Sequence, residues 1–277
     1  IQHGKKLLDG DTSAVDALKK DLAELRNRKI HLLKSAGFPE DYLEPVYDCP
    51  DCKDTGYIGN KKCHCFKKAI IGLLYDQSNI KKFPVEADFS NFRLDYYPVS
   101  HYDKKTGRSS RSMMEDTLRI CHHFIDSFGT EFNNLFFYGD VGVGKTFLST
   151  CIAKEIMNRE YSVLYFSAPQ LFNTLAKNAF DKNDIDAHNM CEYIFDCDLL
   201  IIDDLGTEYT NAFIASQFFT CINERLLHRK STIISTNLSL ESLADLYTER
   251  SFSRITSRYS LLKIVGDDIR IKKKLEH

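Results

Sequence analysis

Nowhere in the 277 residues does an apolar run approach the ~18 residues that a bilayer-spanning helix needs, and no secretory leader is recognisable at the amino end. The expected compartment is therefore the cytoplasm. Neither sign of charge dominates. With 37 basic against 39 acidic residues the formal net charge is −2, so a contact with nucleic acid has to come from a local basic patch and not from a bulk field. No internal repeat or low-complexity segment is evident. Disulfides are not expected either: nine cysteines in a reducing compartment point to metal ligands or buried thiols. The composition is that of an ordinary globular protein, 43% hydrophobic and 27% charged. The length suits one large domain with one or two small ones.

The chain is organised around Gly139-Asp140-Val141-Gly142-Val143-Gly144-Lys145-Thr146, which lies between an apolar run ending at Tyr138 and a helix-forming run opening at Phe147. The spacing G-x-x-x-x-G-K-[ST] describes a phosphate-binding loop. Its glycines let the backbone close round an oxyanion, Lys145 meets the β- and γ-phosphates, and the Thr146 hydroxyl is offered to Mg²⁺. The following helix turns its positive end toward the phosphates.

Upstream, residues 11–36 read as a helix capped at Thr12 or Ser13 and closed by Gly37 and Pro39. Its stripe of Val15, Leu18, Leu22 and Leu25 either packs on its own domain or docks another protein. Cys49-Pro50-Asp51-Cys52 and Cys63-His64-Cys65 follow, separated by a short stretch that reads as a hairpin. A C-x2-C pair and a C-x-C pair bring four thiolates within reach of one tetrahedral ion, and a closed four-sulfur shell makes that zinc structural; His64 could replace Cys63 or Cys65. The five remaining cysteines are scattered singly and are expected to be thiols without a role. A second helix is expected over residues 66–77, then a linker containing proline and aromatics. The polar stretch Asp103 to Arg111 is expected to be a mobile loop whose basic residues are solvated or touch nucleic acid.

Beyond the phosphate loop, strand and helix patterns alternate, which gives a parallel sheet with helices on both faces and ligands at the carboxyl ends of the strands. Leu199-Leu200-Ile201-Ile202 runs into Asp203-Asp204. There Asp203 is placed to hold Mg²⁺ through its water shell, and Asp204 to orient or deprotonate water. Asn237 follows the next strand, Ser231 to Thr236, where it can reach the attacking water or the γ-phosphate. Arg250, Arg254 and Arg258 recur at four-residue steps and share a helix face. Such a face is either solvated, or directed at DNA, or placed to lend an arginine to the γ-phosphate held by a neighbouring subunit.

Taken in order, the phosphate loop, Leu200-Ile201-Ile202-Asp203-Asp204-Leu205-Gly206, Ser235-Thr236-Asn237 and Glu249-Arg250-x3-Arg254 resemble the AAA+ ATPases of the initiator type. Within these the chain is most similar to the DnaC/DnaI-like helicase loaders, and next to the IstB-like transposition helpers. The resemblance covers about Phe89 to Arg270. It implies an AAA+ P-loop sheet without a carboxy-terminal helical lid, preceded by a small helical and zinc-binding region, with Arg254 as the arginine finger and Arg270 as a second sensor. It also implies ATP, Mg²⁺ and Zn²⁺ as cofactors, and ATP contacts along Gly139 to Phe147. The implied partners are a replicative DnaB-type helicase, single-stranded DNA near residues 170–189 and further copies of the chain in a spiral or ring. The zinc region is similar to that of the DnaI-like loaders and favours a loader over a transposition helper. Asp204 stands where most AAA+ proteins have glutamate, and the shorter arm suits a slow switch.

The expected division is a helical region at 1–45, a zinc module at 46–68, a linker at 69–110, an ATPase domain at 111–274 and a tag remnant at 275–277. The expected function is ATP-dependent loading of a helicase onto single-stranded DNA. Its competitors are a transposition helper, a small-molecule P-loop kinase, and a passive zinc adaptor in which nucleotide is structural.

Overall fold

The structure is a computed structural model that describes residues 13–66, 69, 87–181 and 183–276. It separates into two compact units, residues 1–63 and 64–277. The helix expected at 66–77 lies almost wholly outside the described residues.

In the first unit, α1 (Ser13–Ser35) exposes Leu22 and Leu25 of its apolar stripe, together with Leu32, while Val15 and Leu18 are half-buried. After it comes a two-residue hairpin, β1 (Tyr57–Ile58) against β2 (Lys61–Lys62), antiparallel with Tyr57 opposite Lys62.

The second unit is built on five strands: β3 (Leu135–Tyr138), β4 (Val163–Ser167), β5 (Leu199–Leu205), β6 (Ser231–Thr236) and β7 (Ser260–Lys263). All pair in parallel, in the order β4-β5-β6-β3-β7. Ahead of them lies α2 (Ser110–Asp126); between them run α3 (Lys145–Asn158), α4 (Ala168–Phe180), α5 (Ile185–Asp196), α6 (Ala212–Leu227), α7 (Leu240–Leu246) and α8 (Glu249–Arg258), and α9 (Ile269–Leu275) follows the last strand. Alternate strand residues supply two cores, as a sheet covered on both faces requires. Leu135, Phe137, Leu199, Ile201 and Ile233 pack with Leu148, Ile152 and Ile156 of α3. Phe136, Leu200, Ile202 and Ile234 pack with Leu171, Phe172 and Leu175 of α4 and with Phe218 of α6.

Two sequence expectations change. The stretch Asp103 to Arg111 is a tied turn and not a mobile loop. Asp103 is buried; it accepts from Lys263 and, at 3.0 and 2.9 Å, from the backbone N–H and hydroxyl of Thr106. Three of its four basic residues are engaged as well: Lys105 with Glu241, Arg108 with Asp116 and Arg111 with the Tyr97 carbonyl. The described part of the expected linker belongs to the second unit, because Tyr96 and Tyr97 are buried in the α3-side core. One helix was missed, α5. Its signals were present: Asp184 caps it by accepting from Ala187 N–H at 2.9 Å, and Ala187, Met190, Cys191 and Ile194 bury one face.

Arg225 of α6 is fully buried and meets no carboxylate among the described residues. It donates to the carbonyls of Ile194 at 2.7 Å and Ser231 at 2.6 Å and to the Thr232 hydroxyl at 3.0 Å. One side chain thus closes the end of α5 and fastens it to the start of β6, where the helix dipole favours a cation. Arg225→Met should strand those acceptors and cost on the order of 3 kcal/mol, read as a lower urea midpoint at an unchanged m-value.

Candidate nucleotide-binding site

The loop Gly139 to Gly144 connects β3 to α3 at the carboxyl edge of the sheet. Gly142 has φ 76° and Gly144 has φ 101°, in the left-handed region. Space forbids a side chain there too. A Cβ on Gly142 would lie 2.1 Å from the Asp268 carboxylate, and one on Gly144 2.7 Å from the Tyr97 hydroxyl. Two contacts hold the loop from outside: Tyr97 donates to the Val143 carbonyl at 2.8 Å, and Ile269 N–H donates to the Gly142 carbonyl at 3.0 Å.

Lys145 is buried, and its ammonium donates to the carbonyls of Gly139 at 2.7 Å and Asp140 at 2.6 Å and to Asn237 Oδ1 at 2.6 Å. Burial lowers its pKa, opposed by the nearby charges of Asp204 and Asp203. Asn237 can reach the lysine because β6 lies between β3, which feeds the loop, and β5, which carries the acids.

The two aspartates are adjacent in sequence, and a regular strand would turn them to opposite faces. A bulge alters that. Ile202 pairs with Ile234, but Leu205 pairs with Thr236, so β5 carries one extra residue, and Asp204 takes φ 56°. Leu205 consequently joins Leu200 and Ile202 on the α4 side. Asp203 is buried beside Thr146, whose hydroxyl lies 3.2 and 3.0 Å from its two oxygens. Asp204 lines the cleft above the loop with Lys145, Thr146 and Asn237. Burial, then the Asp203 charge, raises its pKa above the usual aspartate value.

Arg270 lines the same cleft, where Asp268 holds its guanidinium through bonds of 3.0 and 2.7 Å. Arg254 does not line it. Arg250, Arg254 and Arg258 are all exposed on α8, with no acidic partner among the described residues. Sequence reasoning missed the far wall of the cleft, formed by Asn91, Phe92, Arg93, Tyr96, Ile269 and Lys273, although the aromatics of the supposed linker were a visible signal. Val141, Gly144 and Phe147 of the expected ATP contacts line it as well. Of the DNA candidates, Phe172 is core, Lys177 is exposed, and Lys182 lies outside the described residues. The donor set fits a nucleotide with Mg²⁺: glycine backbone in an anion-binding turn, one ammonium, one hydroxyl and two carboxylates.

The cysteines Cys49, Cys52, Cys63 and Cys65 offer sulfurs that all lie within 4.8 Å of one another, with Cys49 Sγ and Cys63 Sγ 3.7 Å apart. A tetrahedral zinc with ~2.3 Å bonds to sulfur sets its sulfurs about 3.8 Å apart, so the cluster fits that ion. Local turns bring the thiols together. Asp54 accepts from the backbone N–H of Asp48 at 3.2 Å and of Cys49 at 2.8 Å, while Lys53 N–H reaches the Cys49 carbonyl at 2.9 Å. His64 is not part of the cluster. Cys121, Cys151, Cys191, Cys197 and Cys221 are buried thiols, and burial raises their pKa values.

A phosphate loop on a five-stranded parallel sheet, with paired acids on a strand one removed from it and an asparagine on the strand between, defines a P-loop ATP-binding protein with the AAA+ fold. The chain matches the family of IstB-like ATP binding proteins over residues 77–277, and it belongs to that family. It is 27% identical over 236 residues to the phage-like element PBSX protein XkdC of Bacillus subtilis (strain 168), covering 80% of this chain and 83% of that protein. It is 23% identical over 194 residues to the replicative helicase loader DnaC of Escherichia coli (strain K12), covering 70% of this chain and 73% of the relative. Among solved structures, that of the DnaC helicase loader superposes with TM-score 0.50 at 26% identity, over 63% of this chain and 97% of the other. No described helix is long and apolar enough to cross a membrane.

The purified protein should carry one zinc per chain, measured by metal analysis, and Cys52→Ser should lose it.

Proposed function

We propose that this protein is an ATP-dependent loader of a replicative, DnaB-type helicase onto single-stranded DNA, and that its hydrolytic site is completed by a neighbouring subunit. The observation that supports this reading best is the division of the arginines. Arg270 lines the cleft with Lys145, Asp204 and Asn237, whereas Arg254 stays on the exposed face of α8 with no acidic partner among the described residues. In a monomer that face has nothing to neutralise. In an assembly it lends Arg254 to the phosphate held by the next copy.

The chemistry assigned to each residue follows from its surroundings. On nucleotide binding the Lys145 ammonium exchanges its loop carbonyls for phosphate oxygens, a stronger, charge-assisted bond. Thr146 and Asp203 would hold Mg²⁺, which when bound neutralises phosphate charge. Asp204, with its raised pKa, is a better proton acceptor than an ordinary aspartate and orients water toward the terminal phosphate. Asn237 fixes that phosphate, and Arg270 leaves Asp268 for it. The nucleobase lies toward Asn91, Phe92 and Ile269. The amino-terminal unit, with its cysteine cluster and the exposed leucines of α1, holds the helicase.

A transposition helper is the second reading, favoured by the family that the chain matches. Co-elution with a replicative helicase, with and without ATP, separates the two: a complex formed with the helicase supports the loader, and one formed only with a transposase supports the helper. Arg254→Ala should bind ATP like the unaltered protein and lose at least tenfold in DNA-stimulated hydrolysis; loss of nucleotide binding would remove Arg254 from that role. Lys145→Ala should abolish nucleotide binding and weaken DNA binding. If partner and DNA binding stayed intact, the protein would be a passive adaptor. Zinc removal should abolish helicase binding and spare nucleotide binding, followed by chelation and both assays.

A further inference from the structure

Asp203 has each carboxylate oxygen held by a different neighbouring strand. Tyr165 of β4 donates to Oδ2 at 2.7 Å, and Ser235 of β6 donates to Oδ1. The Ser235 hydroxyl also accepts the Asp204 backbone N–H at 3.0 Å, so it ties down the bulge that separates the two acids. Both donors are buried, Tyr165 with 5% of its surface exposed and Ser235 with none. The third hydroxyl on the carboxylate is that of Thr146, which belongs to the phosphate loop and not to the sheet.

The last torsion of an aspartate is soft and roughly two-fold, so a carboxylate keeps a fixed plane only where its surroundings impose one. Here one donor on each oxygen, from strands on opposite sides of β5, imposes it. We propose that Tyr165 and Ser235 are positioning residues that lock the Asp203 carboxylate for a divalent cation bound with nucleotide. Thr146 is the hydroxyl free to leave Asp203 for that cation. A merely structural phenol would need a single acceptor anywhere in the core; this one is spent on the one carboxylate that faces the Thr146 hydroxyl. The inference rests on the nucleotide and Mg²⁺ reading above and adds the residues that set its metal dependence.

The test is Tyr165→Phe, which keeps the ring and removes the donor. Binding of a fluorescent ATP analogue is measured in Mg²⁺-free buffer and across a Mg²⁺ series, alongside thermal melting. The expected result is an unchanged affinity without Mg²⁺, a Mg²⁺ midpoint raised about tenfold or more, and recovery at excess Mg²⁺. Ser235→Ala should behave alike and serves if Tyr165→Phe does not fold. A folded variant with the Mg²⁺ midpoint of the unaltered protein overturns the proposal, as does an equal loss of affinity with and without Mg²⁺. If neither variant folds, the hydroxyls are structural and the positioning role is overturned. Absence of Mg²⁺-dependent binding in the unaltered protein sinks the nucleotide reading itself, which separates that failure from this one.

Discussion

A loop that binds phosphate must present backbone N–H groups and no side chains, and a backbone so stripped does not hold its own shape. In this protein the shape comes from two contacts made by other parts of the chain. Tyr97, from before the sheet, takes the Val143 carbonyl, and Ile269, from after it, gives its N–H to the Gly142 carbonyl. Residues from before and after the five strands therefore clasp the loop from two ends of the chain. The clasp also explains why the cleft has a far wall: the segment that supplies Tyr97 supplies Asn91 and Phe92, and the segment that supplies Ile269 supplies Arg270 and Lys273.

Strand order does the remaining work. Inserting β6 between the loop strand and the acid strand sets Asn237 against Lys145, and it sets Ser235 against Asp203. Neither contact would exist if β3 and β5 were neighbours. Charge is balanced in pairs throughout the cleft, with the ammonium near two carboxylates and the Arg270 guanidinium on Asp268. Such paired groups are ready to exchange partners when a polyanion arrives, because each is already oriented, Lys145 within the buried floor and Arg270 on the exposed rim.

Much of this was legible in the sequence, and the reasons are local. The phosphate loop, the apolar run ending in Asp203 and Asp204, and the C-x2-C and C-x-C pairs each carry their geometry in a few adjacent residues, so reading them needs no tertiary knowledge. The strand Ser231 to Thr236 agrees at both ends, because an apolar strand bounded by turn residues has little freedom. What escaped depends on distant partners. Asp103 to Arg111 has the composition of a mobile loop; it is tied because Lys263 and Glu241 from far along the chain meet Asp103 and Lys105. Tyr97 reads as part of a linker until the loop it braces is seen. Helix α5 is the exception: its cap, Asp184, and its apolar periodicity are local signals that the sequence carries.

The bulge at Asp204 separates two kinds of sequence change that are usually treated together. Replacing Asp204 alters the cleft, and at φ 56° a β-branched residue there would strain the bulge as well. Deleting a single residue there would restore strict alternation with Leu205 still opposite Thr236 and on the α4 side, and would leave one position where two acids now stand. The extra residue therefore serves the cleft and not the packing of the sheet: it lets two carboxylates stand at the end of β5 where a regular strand would place one.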